Sequence, residues 1–128
     1  MRTLIPLAFV AALACDATEA PAGATPTDDG RYLIEVDAPE VLVAGTDLSF
    51  DLHLTDDAGT PATGLDVAVE PWMPGHGHGI ANNPDVYEHS DGTYKATFAF
   101  NMPGSWELRV SVDDGEAESL AVFTYEVD

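Results

Sequence analysis

The chain has 128 residues, of which 23 are acidic and only 4 are lysine or arginine, so its formal net charge is −19. This charge argues strongly against a nucleic-acid partner, which needs clustered cationic side chains, and against docking flat on anionic lipid. A negative field attracts cations and cationic partners. The same charge also serves solubility or life in a salty habitat, so by itself it does not define a ligand.

The N-terminus has the pattern of an export signal. A positive charge at Arg2 precedes a short apolar run, Leu4–Leu13, and Ala12-Leu13-Ala14 forms a small-x-small cleavage site. The run is too short to span a bilayer and is typical of a signal h-region. The sequence therefore predicts a signal peptide over residues 1–14.

Cys15 follows the cleavage site directly and is the only cysteine in the chain. The arrangement resembles a bacterial lipobox, although Ala12 stands where that motif usually has leucine. A lone cysteine cannot form an internal disulfide, and acylation would explain a single thiol in an exported protein. We predict a lipid anchor at Cys15, which places the protein in the cell envelope, facing the periplasm or the exterior. The alternative is a soluble exported protein with an unpaired thiol.

Residues 16–30 consist largely of Ala, Thr, Pro, Gly and Asp, without large apolar side chains. Such a segment buries too little surface to offset its ordering entropy, so it is predicted to be a flexible linker. The predicted organisation is a signal peptide at 1–14, a lipidated cysteine and linker at 15–30, and one folded domain at 31–128.

The domain is predicted to be all-β because apolar and polar residues alternate with a period of two. In Asp47–Thr55, for example, Leu48, Phe50, Leu52 and Leu54 share one face. The other predicted strands are Arg31–Asp37, Leu65–Glu70, Val86–Glu88, Thr93–Phe100, Trp106–Asp113 and Ala117–Val127. Turn-forming residues separate them. About seven short antiparallel strands at this spacing predict an immunoglobulin-like β-sandwich.

Two Met-Pro-Gly segments follow predicted strands. One begins the Trp72–Pro84 loop and the other is Met102-Pro103-Gly104. If consecutive strands run antiparallel, both segments lie at one end of the sandwich, where such folds keep binding sites. The same count sends His53 and His89 to the opposite end.

The first segment continues as His76-Gly77-His78-Gly79. Two imidazoles two residues apart project to the same side of an extended backbone, and thioether sulfur with imidazole suits copper, especially Cu(I). We predict a metal site formed by Met73, His76, His78 and Met102, with copper as the ion. Zinc is the second choice, with Asp85 and Glu88 close enough in sequence to add a carboxylate.

Several of these residues also have a purely structural explanation. Methionine in a small domain often packs in the core without binding a ligand, and Met102 taken alone is expected to do so. Trp72 and Trp106 are expected to be core or loop-anchoring aromatics. His53 and His89 are expected to be solvated side chains. The glycine-flanked pair His76 and His78 has no evident structural role, so the predicted metal site rests mainly on these two residues.

Five stretches together resemble a known family. They are Ala44-Gly45-Thr46-Asp47-Leu48, the Gly59…Pro61…Gly64 segment, Met73-Pro74 through His78-Gly79, Gly92-Thr93-Tyr94 and Met102-Pro103-Gly104-Ser105-Trp106-Glu107-Leu108. In order and spacing they resemble a YtkA-like domain. The resemblance implies an immunoglobulin-like, exported or membrane-attached domain, related in character to small periplasmic copper-handling domains. Its signature resembles Met-Pro-x-Met-x-His-Gly, and here His76 stands at the second methionine, which leaves the oxidation state of the copper open.

Three hypotheses follow for function. The first is a surface-tethered copper carrier, scavenger or assembly aid, whose partners are the metal ion and a copper-receiving or other envelope protein. The second is a metal-free interaction module that contacts an envelope partner through the 72–84 loop. An enzyme is not expected, because no nucleophile–base motif or carboxylate pair stands out from the general acidity.

Overall fold

The computed structural model describes residues 23–128, which form nine β-strands. In chain order the strands are β1 (Ala24–Pro26), β2 (Tyr32–Asp37), β3 (Leu48–Asp56), β4 (Asp66–Met73), β5 (His78–Gly79), β6 (Val86–Ser90), β7 (Thr93–Phe98), β8 (Gly104–Asp113) and β9 (Glu118–Val127). The predicted signal peptide, Cys15 and the first part of the linker lie outside the described residues. Within residues 23–128 there is no helix long and apolar enough to cross a membrane.

The strands form two antiparallel sheets that pack face to face. One sheet has the order β1-β2-β3-β7-β6 and the other has the order β5-β4-β8-β9. This architecture confirms the predicted all-β sandwich. Seven of the nine strands correspond to the predicted ones, and the two additional strands, β1 and β5, are only three and two residues long.

The period-two pattern of the sequence matches the two faces of each strand. In β3 the buried residues are Leu48, Phe50, Leu52 and Leu54, and β8 buries Trp106, Leu108, Val110 and Val112 in the same manner. The core between the sheets is rich in aromatic rings: Phe50 stacks on Phe98 at 5.0 Å between centroids, and Phe100 lies 5.0 Å from Trp106. Such pairs add roughly 0.5–1.5 kcal/mol each beyond the area they bury.

The folded domain begins upstream of the predicted boundary at Arg31. β1 pairs with β2, with Ala24 opposite Glu35, although residues 24–30 had been assigned to the flexible linker. Thr27 is buried, and Ser119 on β9 donates a hydrogen bond of 2.6 Å to the Asp29 carboxylate. This hydrogen bond lowers the pKa of Asp29. The segment therefore joins the edge of one sheet to the edge of the other.

The strand directions place the loops as predicted. β7 runs antiparallel to β3, and β8 runs antiparallel to β4. Consequently the end of β4 and the start of β8 lie at the same end of the sandwich. His53, opposite Thr93 at the start of β7, lies towards the other end.

Candidate metal centre

The first Met-Pro-Gly segment forms the turn of a β-hairpin between β4 and β5. The Met73 carbonyl accepts hydrogen bonds from the backbone N–H of His76 at 3.1 Å and of Gly77 at 2.8 Å. Gly77 has a φ of 69°, a conformation that glycine adopts without steric cost. The turn brings His78 directly opposite Met73. The loop starts at Pro74 and not at Trp72 as predicted, because β4 continues through Trp72 and Met73 to pair with β5.

The two imidazoles of the hairpin are neighbours. The ring centroids of His76 and His78 are 5.7 Å apart, with an angle of 76° between the rings. Two imidazoles bound to one ion through metal–nitrogen bonds of about 2.0–2.1 Å have centroids about 5–6.5 Å apart. The observed separation fits shared coordination. His76 is exposed and His78 is half-buried, so an ion can approach the pair from solvent.

The orientation of the His78 ring is fixed by the backbone. Its Nδ1 lies 3.0 Å from the Gly79 carbonyl oxygen. A carbonyl only accepts hydrogen bonds, so Nδ1 carries the proton and the neutral ring has its lone pair on Nε2. Metal-binding histidines commonly donate their other ring N–H to a carbonyl in this way. On one side the ring packs edge-on near Trp106, at 6.0 Å between centroids.

Met73 lies beneath the histidine pair and is a core residue. Its side chain is 3% exposed. The terminal methyl packs over Gly104, where a Cβ atom would overlap it. The glycine of the second Met-Pro-Gly segment thus makes room for the methionine of the first. Met73 can reach a metal ion only if this packing opens.

Met102 is half-buried on the neighbouring loop and packs against the core. The indole N–H of Trp106 donates to the Met102 carbonyl at 2.9 Å. The Asn101 amide donates to the Gly79 carbonyl at 3.3 Å, the same oxygen that accepts from the His78 ring. The hydrogen bond from Asn101 to Gly79 links the methionine loop to the histidine hairpin.

The remaining candidate ligands lie elsewhere. Glu88, considered for zinc, accepts 3.0 Å hydrogen bonds from the N–H groups of Gly64 and Gly92 at the opposite end, and these bonds lower its pKa. His53 lies 3.0 Å from the Thr93 hydroxyl, and His89 lies 3.5 Å from Asp51. Within residues 23–128, no three His, Cys, Asp or Glu side chains converge as a metal site.

Comparison with known proteins identifies the family. The YtkA-like family model matches residues 28–111, a range that includes both Met-Pro-Gly segments. The chain belongs to the YtkA-like family. Membership is consistent with an exported domain of the cell envelope. A comparison with curated protein sequences finds no significant match.

Three solved structures are similar to this YtkA-like chain at low sequence identity. A DUF4426 family protein from Pseudomonas aeruginosa PAO1 has a TM-score of 0.55 at 14% identity, over 76% of this chain and 90% of that one. The ZirS C-terminal domain has a TM-score of 0.50 at 11% identity, over 100% and 85% of the two chains. A conjugative transposon lipoprotein from Bacteroides eggerthii DSM 20697 has a TM-score of 0.45 at 15% identity, over 74% and 96%.

Two residues of this YtkA-like site were not predicted from the sequence. Asn101 was given no role, and Gly104 was noted only as part of the second Met-Pro-Gly segment. The repeated Met-Pro-Gly pattern was the available signal for both, since the structure uses the second copy to complete the packing around the first.

Proposed function

We propose that this protein is a lipid-anchored copper-binding domain of the cell envelope, acting as a metal carrier, scavenger or assembly aid. The observation that carries the proposal is the pair of adjacent imidazoles, one of which has its ring orientation fixed by a backbone carbonyl. A cysteine after a signal-like N-terminus supports the anchor.

The proposed ligands are His76, His78 and Met102, with Met73 joining only if the core contact with Gly104 opens. Imidazole nitrogen together with one thioether suits copper in either oxidation state. Zinc sites usually include cysteine or a carboxylate. The Glu88 carboxylate is occupied at the opposite end, and within residues 23–128 no carboxylate, that of Asp85 included, completes a three-ligand group with the two histidines, which makes zinc the weaker candidate.

A titration with a matched histidine control tests the proposal. The chain carrying Cys15→Ser, which has no thiol or lipid, is titrated with Cu(II), and with Cu(I) under a reductant, using equilibrium dialysis and tryptophan fluorescence. A double His76→Ala/His78→Ala variant is compared with a double His53→Ala/His89→Ala variant. The site and the control each lose two imidazoles, but at opposite ends of the sandwich.

Loss of the site pair should weaken binding by more than the roughly 10- to 100-fold that follows loss of a supporting hydrogen bond. The control pair should bind like the parent. Copper at His78 should quench the fluorescence of Trp106, whose ring centroid is 6.0 Å away. Equal binding by the two double variants would refute the proposal.

Burial of Met73 favours the second candidate, a metal-free interaction module. With Met73 held in the core, fewer of the predicted ligand atoms face solvent at this end of the sandwich, so the end also suits protein contact. On this hypothesis Trp72, half-buried with Arg109 stacked 4.9 Å from its ring, contributes to the contact surface. Crosslinking to envelope proteins that is lost with Trp72→Ala and unaffected by copper would favour this function.

A further inference from the structure

The outer edge of β9 is an open sheet edge. β9 is ten residues long and, within residues 23–128, it pairs only with β8. An edge strand presents unpaired N–H and C=O groups that can pair with another chain. Proteins usually prevent such pairing with charged residues, prolines or covering loops. The residues along the β9 edge therefore indicate whether it can accept another strand.

The two ends of the β9 edge are closed by the chain itself. At one end the Leu120 carbonyl accepts from the Asp28 N–H at 2.8 Å, and the Leu120 N–H donates to the Asp28 carboxylate at 2.9 Å. At the other end the Asp128 N–H donates to the Leu42 carbonyl and its carbonyl accepts from the Ala44 N–H, both at 2.8 Å. The open part of the edge is therefore limited to the residues between Leu120 and Asp128.

The same bonds fix which backbone groups point outwards. In an antiparallel strand the N–H and C=O groups of alternate residues face the same side. Leu120 and Asp128 both direct their groups away from β8. By this alternation, Val122, Thr124 and Glu126 also direct theirs outwards, in the bounded gap between the closures.

The side chains along this edge are unusual for so acidic a chain. Ser119–Tyr125 contains no charged residue, whereas 21% of the whole chain is charged. Leu120 and Val122 are 40% and 41% exposed and lie on the outer face. An uncharged, strand-forming segment at an open edge favours pairing with another strand. Acidic residues flank it at Glu118 and Glu126.

We propose that the β9 edge at residues 122–126 binds an extended segment of a partner protein by strand addition, and that this segment is apolar at its centre and basic at its ends. Backbone hydrogen bonds to the added strand would provide affinity, as in other cases of strand addition. Within the gap an apolar side chain would lie beside Val122, and cationic ones would lie near Glu126 at one end and near Asp28 at the other.

A second copy of the chain fits this edge less well. Antiparallel pairing centred on Thr124, the middle of the gap, would bring Asp128 of each copy to the Leu120 position of the other, where Asp28 already lies, twice. Like charges directly opposite each other in a sheet are destabilising. Each copy also carries a net charge of −19. A basic partner segment relieves this repulsion.

The proposal is tested with a short peptide of alternating threonine and valine that has lysine at both ends, and with a control peptide that has glutamate at both ends. Binding to the Cys15→Ser chain is followed by NMR chemical shifts and amide hydrogen exchange. Two variants at one position separate the contribution of the backbone N–H from that of the side chain. Thr124→Pro removes the outward N–H while leaving the β8–β9 ladder intact, as proline can at a sheet edge, and Thr124→Val keeps the N–H.

The lysine-ended peptide should slow exchange at Val122, Thr124 and Glu126. Thr124→Pro should bind it about fivefold or more weakly, the equivalent of one lost hydrogen bond, and Thr124→Val should bind normally. Equal binding of both peptides, or unchanged binding by a folded Thr124→Pro variant, would overturn the proposal. Self-association of the parent chain that protects these same amides in sedimentation and exchange experiments would also overturn it, in favour of a second copy.

Discussion

Removal of the Tyr94 hydroxyl is expected to destabilise the domain more than any other single-atom change at a tyrosine. Tyr94 is 2% exposed in β7, and its hydroxyl donates to the Ala62 carbonyl at 2.9 Å and accepts from the Leu65 N–H at 3.1 Å. Burial raises the pKa of this hydroxyl, so it stays neutral and can donate. Both bonds hold the segment that leads into β4, the strand that carries the histidine hairpin.

The Tyr94→Phe variant leaves one carbonyl and one N–H without their partner. An unsatisfied buried group costs about 1–3 kcal/mol. Because Leu65 is only partly buried, water can reach part of this site, so the expected loss is about 2–4 kcal/mol of the free energy of unfolding. For a domain of about this size, each kcal/mol shifts the melting temperature by roughly 4–8 °C.

Urea unfolding followed by tryptophan fluorescence measures this loss. Tyr125→Phe is the matched control, because the Tyr125 hydroxyl forms no hydrogen bond with the described residues, and burial alone raises its pKa. The control should change the free energy of unfolding by less than about 0.5 kcal/mol. If Tyr94→Phe were as mild as the control, or the control as severe, the role assigned to the two hydrogen bonds would be wrong.

Three further predictions concern contacts of single side chains. Gly104→Ala should lower the free energy of unfolding by about 2–4 kcal/mol, because the new Cβ overlaps Met73 and the backbone is strained at a φ of 134°. In a double-mutant cycle, Met73→Ala should remove the part of this loss that is due to the overlap. Two backbone N–H groups lower the pKa of Glu88 below its usual 4.5. The ionised carboxylate therefore stabilises the fold above that pH, and this stabilisation is lost as the pH falls through the folded-state pKa. The stability of Glu88→Gln, measured by acid unfolding, should not show this loss. Ser119→Ala should raise the pKa of Asp29 in an NMR titration, since the serine hydroxyl is the main cause of its lowering.

Local pattern was sufficient to predict most of the fold. Strand β3, for example, was predicted as Asp47–Thr55 and is observed as Leu48–Asp56. The alternation of apolar and polar residues indicates which side of a strand faces the core, and turn-forming residues indicate where the chain reverses. Both signals lie within short stretches of sequence, so they can be read without knowing the tertiary structure. Strand direction then followed from counting reversals, which correctly placed Met73 and Met102 at one end.

Contacts between distant segments decided what the pattern could not predict. The composition of residues 24–26 is that of a linker, yet they form β1 because the edge of β2 offers backbone partners and Ser119 holds Asp29 across 90 positions of sequence. The burial of Met73 likewise depends on Gly104, which lies in the other Met-Pro-Gly segment.

The sequence by itself determined the sandwich and the shared end of the two Met-Pro-Gly segments. The tertiary structure decided that Met73 faces the core, that the His78 ring presents Nε2, and that among residues 23–128 none pairs with the edge of β9 between its two closures. The physical reason is that periodicity encodes which face of a strand is buried, whereas a side chain's partners across the sandwich depend on packing between segments far apart in the chain.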